Sequence, residues 1–353
     1  MTPEALFFTI FLCFICLVLL LDLGVLSKSN RKVSFKNAIA WTSVWITFSI
    51  IFFLFLKQYG NLVHGINTNQ KLIEVAREYQ PDLISQSSDF KENIEKYNDR
   101  ISLDYLTGYF IEYSLSIDNL FVILLIFNSF AVPSIYHKKI LLWGIIGAIV
   151  LRMTFIFAGS MLISSFHWTL YLFGAFLIFS GLKILLSKDK EEKINIEKHP
   201  IVRFTSKFFL VWPEYVKGKF IHIVNGKKYL TPLFIVLLVV EFSDLVFAID
   251  SVPAIFSVTK DPYIVFFANI FAIMGLRSLF FLLSNVMHLF VYLKYGLGIL
   301  LAFIGCKMLF ESWFTSIGFN NIISLIVILA ILSVSVILSI IFPKRAPESH
   351  MPH

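Results

Sequence analysis

Apolar stretches of roughly 20 residues recur along the chain, each long enough to cross a hydrocarbon core of about 30 Å. Nine can be drawn, at 5–26, 37–56, 105–130, 140–164, 168–186, 232–257, 262–284, 289–313 and 321–342. The pattern predicts an all-α fold, a polytopic transmembrane helical bundle of about nine spans. Its units are two N-terminal helices (1–56), a link (57–104), a three-helix unit (105–186), a basic segment (187–231), a second three-helix unit (232–313) and a C-terminal helix with its tail (314–353). The link holds six basic and eight acidic residues and a short amphipathic helical pattern before Pro81, which reads as a solvated cap. In the basic segment, Phe220 to Val224 and Lys227 to Thr231 flank Asn225-Gly226, the dipeptide of a type I′ turn, so a small β-hairpin is expected.

Composition agrees with lipid as the solvent. Hydrophobic residues make up 58% of 353 and charged residues only 15%, against about 25% charged in ordinary soluble domains. The formal charge of +7 does not require nucleic acid, because Lys and Arg gather in the loops. Lys28, Arg31, Lys32 and Lys36 follow the first stretch, Lys138 and Lys139 the third, and Lys344 and Arg345 the ninth, with ten more in 187–231. By the positive-inside rule the N-terminus faces out and the C-terminus in. The first stretch lacks a basic leader and a small-residue cleavage site and reads as a retained span. Cys13, Cys16 and Cys306 all fall in apolar stretches and read as small hydrophobes rather than a redox pair.

The chain aligns with itself. Glu112-Tyr-Ser-Leu-Ser-Ile-Asp118 matches Asp244-Leu-Val-Phe-Ala-Ile-Asp250, Ala148-Ile-Val-Leu-Arg152 matches Ile273-Met-Gly-Leu-Arg277, and Gly174-x6-Gly181-x-Lys183 recurs as Gly298-x6-Gly305-x-Lys307. Each unit has three spans, an odd number, so the two enter the membrane from opposite sides. Such inverted repeats pack about a twofold axis in the membrane plane, with substrate sites between them.

Glu112, Asp118, Glu241, Asp244 and Asp250 lie within apolar spans, and Asp22 near the end of the first. A central charge costs about 2.5 to 3.5 kcal/mol on insertion scales, so each needs a partner. Arg152 and Arg277 are the charge-compensating candidates, and one reading is a salt-bridge frame that only locks the bundle. The other is a cation pathway. Acids six positions apart point about 120° apart on an ideal helix, so Glu112 and Asp118 share a face only if the helix breaks locally. In the second unit Pro253 cannot donate to the Ile249 carbonyl, which frees an oxygen beside Asp250. With Asn119, Ser114, Ser116, Ser243 and Ser251, the acids form a set of hard oxygen donors suited to Mg²⁺, Ca²⁺ or Mn²⁺. His167 and His288 lie near span ends, where interfacial packing explains them.

The runs Glu112-Tyr-Ser-Leu-Ser-Ile-Asp118-Asn119, Glu241-Phe-Ser-Asp244, Asp250-Ser-Val-Pro253-Ala-Ile-Phe and Gly275-Leu-Arg277-Ser closely resemble the TerC family. The likeness covers about residues 10–310 and extends to Leu21-Asp22-Leu-Gly-Val, Phe166-His-Trp168 and Thr231-Pro232-Leu-Phe. It implies a bacterial inner-membrane protein, of a family linked to tellurite resistance, with members that export Mn²⁺ and need their membrane acids to do so. The expected activity is export of a divalent metal ion, Mn²⁺ first, with no permanent cofactor, with protons as the candidate counter-ion and the bilayer as partner. Beside the family it resembles, the segment at about 65–100 looks like a longer insertion than in typical relatives. A non-transporting scaffold for stress resistance or membrane-protein assembly is the alternative, and would use the loops rather than the acids. An enzyme is not expected, since no nucleophile and base pair stands out.

Overall fold

The computed structural model describes residues 3–27, 35–80, 89–166, 168–186, 202, 205, 207–286, 292–319 and 321–342. All nine predicted apolar stretches are helical where described. They form α1 (Pro3–Ser27), α2 (Phe35–Tyr59), α4 (Phe90–Ser129), α5 (Ser134–Ser165), α6 (Thr169–Leu186), α7 (Pro232–Phe256), the pair α8 (Pro262–Met274) and α9 (Leu276–Val286), α10 (Leu293–Leu309) and α12 (Asn321–Ile341). The link contributes α3 (Asn69–Tyr79), and α11 (Glu311–Ser316) is a short turn of helix before α12. Among the described residues six helices are long and apolar enough to cross a membrane, and α8 with α9 makes a seventh if their 41° bend lies within one span. The described helices in α6 and α10 are shorter, so the expected count of nine spans is not confirmed.

Local chemistry sets the helix starts. Thr68 and Asp89 accept backbone N–H bonds from Lys71 and Lys91 at the starts of α3 and α4, and Asp261 accepts from Tyr263 ahead of Pro262 in α8, each satisfying an otherwise orphaned donor. The apolar edge of α3, Leu72, Val75 and Ala76, is buried. At 40 residues, α4 is about 60 Å long, twice the hydrocarbon thickness. Its first turns therefore belong to the cap rather than to a separate link. The hairpin forms as expected. Strands β1 (Ile221–Val224) and β2 (Lys227–Leu230) pair antiparallel with Val224 opposite Lys227, and Asn225 and Gly226 both take positive φ, as a type I′ turn requires.

Neither leading helix breaks. α4 runs unbroken through Glu112 and Asp118, and α7 through Pro253, so the expected local unwinding beside Asp250 does not occur. A proline forfeits one bond but need not end a helix that its neighbours hold on all sides, and Ser251, Val252, Pro253 and Ala254 are all buried. The break falls at Gly275, between α8 and α9.

The repeated glycines lie at one contact. A Cβ on Gly181 would come within 2.5 Å of the Gly298 carbonyl oxygen, and one on Gly305 within 2.6 Å of the Gly174 oxygen. Gly174 thus meets Gly305 while Gly181 meets Gly298, so repeat-equivalent residues exchange partners. Only an antiparallel pair about a twofold axis does this, and α6 and α10 show the inverted symmetry directly. Small residues let the backbones touch, as membrane packing favours. Gly181→Ala and Gly305→Ala should each lower stability by about 1–3 kcal/mol, read as earlier thermal unfolding in detergent. Gly144→Ala, whose nearest neighbour is Val240 at 3.5 Å, should be neutral. Equal behaviour of all three variants would contradict the close approach.

Candidate functional site

Two apolar clusters fill the bundle. One surrounds Ile111, Leu115, Ile156 and Ala248, the other Leu120, Ile145, Val240 and Ile273. Along α5 and α7 the polar residues Arg152 and Asp244 fall between them, and Glu112 of α4 lies within the first. Arg152 and Glu112 are fully buried and Asp244 is 14% exposed. Burial of this kind is tolerated only with complete pairing.

The pairing is made by one guanidinium. Arg152 Nη1 donates to Glu112 Oε1 in a close ion pair and to Asn269 Oδ1 at 2.7 Å. Its Nη2 donates to Asp244 Oδ1 at 3.0 Å and its Nε to Oδ2 at 3.4 Å. Asn269 Nδ2 donates in turn to Glu112 Oε2 at 3.2 Å, and Ser116 Oγ to Oε1 at 3.3 Å. Glu112 and Asp244 are equivalent positions of the two inverted units, so a single arginine bridges the repeat at its first acid. The sequence offers both Arg152 and Arg277 as charge-compensating candidates. The structure instead gives both Glu112 and Asp244 to Arg152. Arg277 is buried outside this node, with Asn37, Ala38, Trp41, Lys138, Ser278 and Phe281 around it.

The remaining candidates separate. Asp250 accepts a hydrogen bond from Ser180 of α6 at 2.9 Å, and the charge of Lys183 acts on it. Glu241 rests its carboxylate against Gly147 of α5, where a Cβ would collide with it. It has no hydrogen-bond or ion-pair partner among the described residues. Ser251 Oγ, next to Asp250, is buried and also has none. Asn119 is buried. Ser114 and Ser243 donate to the carbonyls one turn back, Phe110 and Val239, which leaves their oxygens as acceptors. The side chains of Asp118 and Asp22, and residues His167 and His288, lie outside the described residues. No three His, Cys, Asp or Glu among the described residues converge closely enough to hold a metal ion.

Asn269 and Ser180 were missed by sequence reasoning. A polar residue within an apolar run, such as Asn269 in Pro262–Met274, is the signal that marks them.

The profile described as Integral membrane protein TerC family matches residues 97–347. A Salmonella typhi protein, whose name describes a candidate membrane-bound redox modulator, Alx, is 39% identical over 92% of this chain and 91% of its own. An uncharacterised membrane protein of Myxococcus xanthus is 37% identical over 96% and 93%, and one of Rickettsia bellii 36% identical over 94% and 96%. No solved structure matches the chain.

Removing Arg152 strands two buried carboxylates, so Arg152→Met should cost about 3–5 kcal/mol, measured by unfolding in detergent. Adding Glu112→Gln and Asp244→Asn to that variant should recover part of the loss. A triple variant no more stable than the single one would show that packing, not charge, holds the node.

Proposed function

The chain belongs to the integral membrane protein TerC family, and from that premise we propose that it exports a divalent metal ion, Mn²⁺ in the first place, through the carboxylates of its two inverted units. The observation that carries this reading is the surplus of acid on α7. Three carboxylates, Glu241, Asp244 and Asp250, lie within one span, and the Arg152 node neutralises only Asp244. Glu241 has no ion-pair partner among the described residues, and Asp250 has a hydroxyl and the charge of Lys183. Carboxylates are costly in a bilayer and characteristically mark ion or proton paths.

The donor set supports a hard cation. Asp250 stands beside the orphaned Ser251 hydroxyl and one turn before Pro253, which leaves the Ile249 carbonyl without its helical donor. Oxygen ligands of this kind suit Mn²⁺, Mg²⁺ or Ca²⁺ over zinc or copper. Carboxyl ligands must lose their protons to bind metal, so metal entry releases protons and metal departure takes them back, which is the basis of exchange against the proton gradient. The loop charges support an orientation with the N-terminus out and the C-terminus in.

In proteoliposomes, Mn²⁺ flux with an opposite proton movement is expected, and Asp250→Asn should abolish both at unchanged protein level. Normal flux in that variant would remove Asp250 from the pathway, and loss of flux together with loss of protein would favour the scaffold reading. Metal flux insensitive to an imposed pH gradient would remove the exchange. A redox role, which the name of the Salmonella typhi relative suggests for that protein, would here have to involve Cys13 and Cys16, exposed one turn apart on α1. Cys13→Ser with Cys16→Ser should leave Mn²⁺ flux unchanged, and a loss of flux would bring those thiols into the mechanism.

A further inference from the structure

On the membrane face opposite the hairpin, the cap is pinned by one buried acid–base pair. His64, in the turn that follows α2, is 2% exposed, and Asp261, in the turn between α7 and α8, is 1% exposed. His64 Nε2 and Asp261 Oδ2 are 2.7 Å apart. Each element packed around the imidazole contributes a group. α1 brings Glu4, 4.0 Å from Nδ1 and itself 3.6 Å from Lys71 of α3. α3 brings Tyr79, its ring 5.3 Å away, and the charge of Glu78. The start of α8 brings the ring of Tyr263, also 5.3 Å away. Tyr97 of α4, whose hydroxyl is buried without a partner among the described residues, feels both Asp261 and Glu4. Pro3 presses on Gly65, where φ is +60° and a Cβ would collide, so the start of α1 closes the same corner.

We propose that the His64–Asp261 pair is a pH-set latch that seats the cap segment 60–80 on the start of α8. Asp261 does two jobs there: Oδ1 caps α8 by accepting from Tyr263 N at 2.9 Å, while Oδ2 holds His64. α8 carries Asn269 two turns further on, about 12 Å along the axis, so the latch is joined by one rigid element to the Arg152 node. This inference does not depend on what the protein transports.

The imidazole supplies the pH dependence. Burial by itself lowers its pKa, but the charge and hydrogen bond of Asp261, with Glu4 and Glu78, outweigh that and hold it above the ordinary histidine value. A group raised on folding stabilises fully below its unfolded pKa, about 6.5, and the contribution is lost as pH rises through the folded value. The latch therefore has its full His64 contribution below about pH 6.5 and loosens as pH rises through the raised folded value. Each unit between the folded and unfolded values makes opening of the cap about tenfold easier once both are passed.

Hydrogen exchange on the full chain in lipid nanodiscs, corrected for the intrinsic pH dependence of exchange, reads this directly. Between about pH 6 and about pH 9, chosen to bracket the ordinary histidine value, amides at 60–80 should lose protection in the wild type while those of α7 keep theirs. His64→Gln should show the low, alkaline-like protection at both pH values. Asp261→Asn keeps the helix cap, since asparagine also accepts from the N2 amide, and it too should abolish the step. Protection at 60–80 that does not change with pH in the wild type, or a step of undiminished size in either variant, would overturn the latch.

Discussion

The structure depends on one buried guanidinium. Arg152 lies between two apolar clusters, where an unpaired cation or carboxylate could not be tolerated, and it is paired at once with Glu112 of the first unit and Asp244 of the second. The interaction is directional, so it fixes the relative height and rotation of α4, α5 and α7. Asn269 closes the ring by accepting from the arginine and donating to Glu112, which adds α8. Four helices from both inverted units are thereby held at one point, while the glycine contact of α6 and α10 holds the repeat together along a second line.

Much of this fold was legible in the sequence because lipid leaves few options. A segment of some 20 apolar residues must satisfy its backbone internally, and a helix is the direct way to do so. The hairpin was legible because Asn225-Gly226 admits few conformations. The inverted repeat was legible because matching acids, arginines and glycines kept their order through an odd number of spans. Lengths were less so. Nothing in the composition of 90–104 announces that it continues the helix of Glu112, since a solvated cap and a helix projecting from the bilayer use the same polar residues.

The candidate site was half legible. Intramembrane acids announce themselves by their cost, but their partners do not. Two arginines in equivalent positions do not share the two leading acids, since Arg152 takes both Glu112 and Asp244 while Arg277 lies in a separate buried pocket. Pro253 suggested a broken helix beside Asp250. The buried packing around it keeps α7 continuous, and the bend falls at Gly275, where no side chain resists it. Asn269 and Ser180 are ordinary polar residues in apolar runs, and only three-dimensional proximity gives them a role. Among the described residues the candidate carboxylates divide into a pair, Glu112 and Asp244, held by Arg152 and two others on α7, Glu241 and Asp250, that no ion pair holds.

That division is the central claim, and direct binding of the metal tests it most closely. Electron paramagnetic resonance of Mn²⁺ titrated into the purified protein in nanodiscs separates bound from free ion without any need for transport. The account predicts saturable binding that weakens at least tenfold in Asp250→Asn, in which the node around Arg152 is untouched and the fold is retained. Binding of equal strength in the wild type and that variant, or no bound signal in a folded wild-type protein, would contradict it.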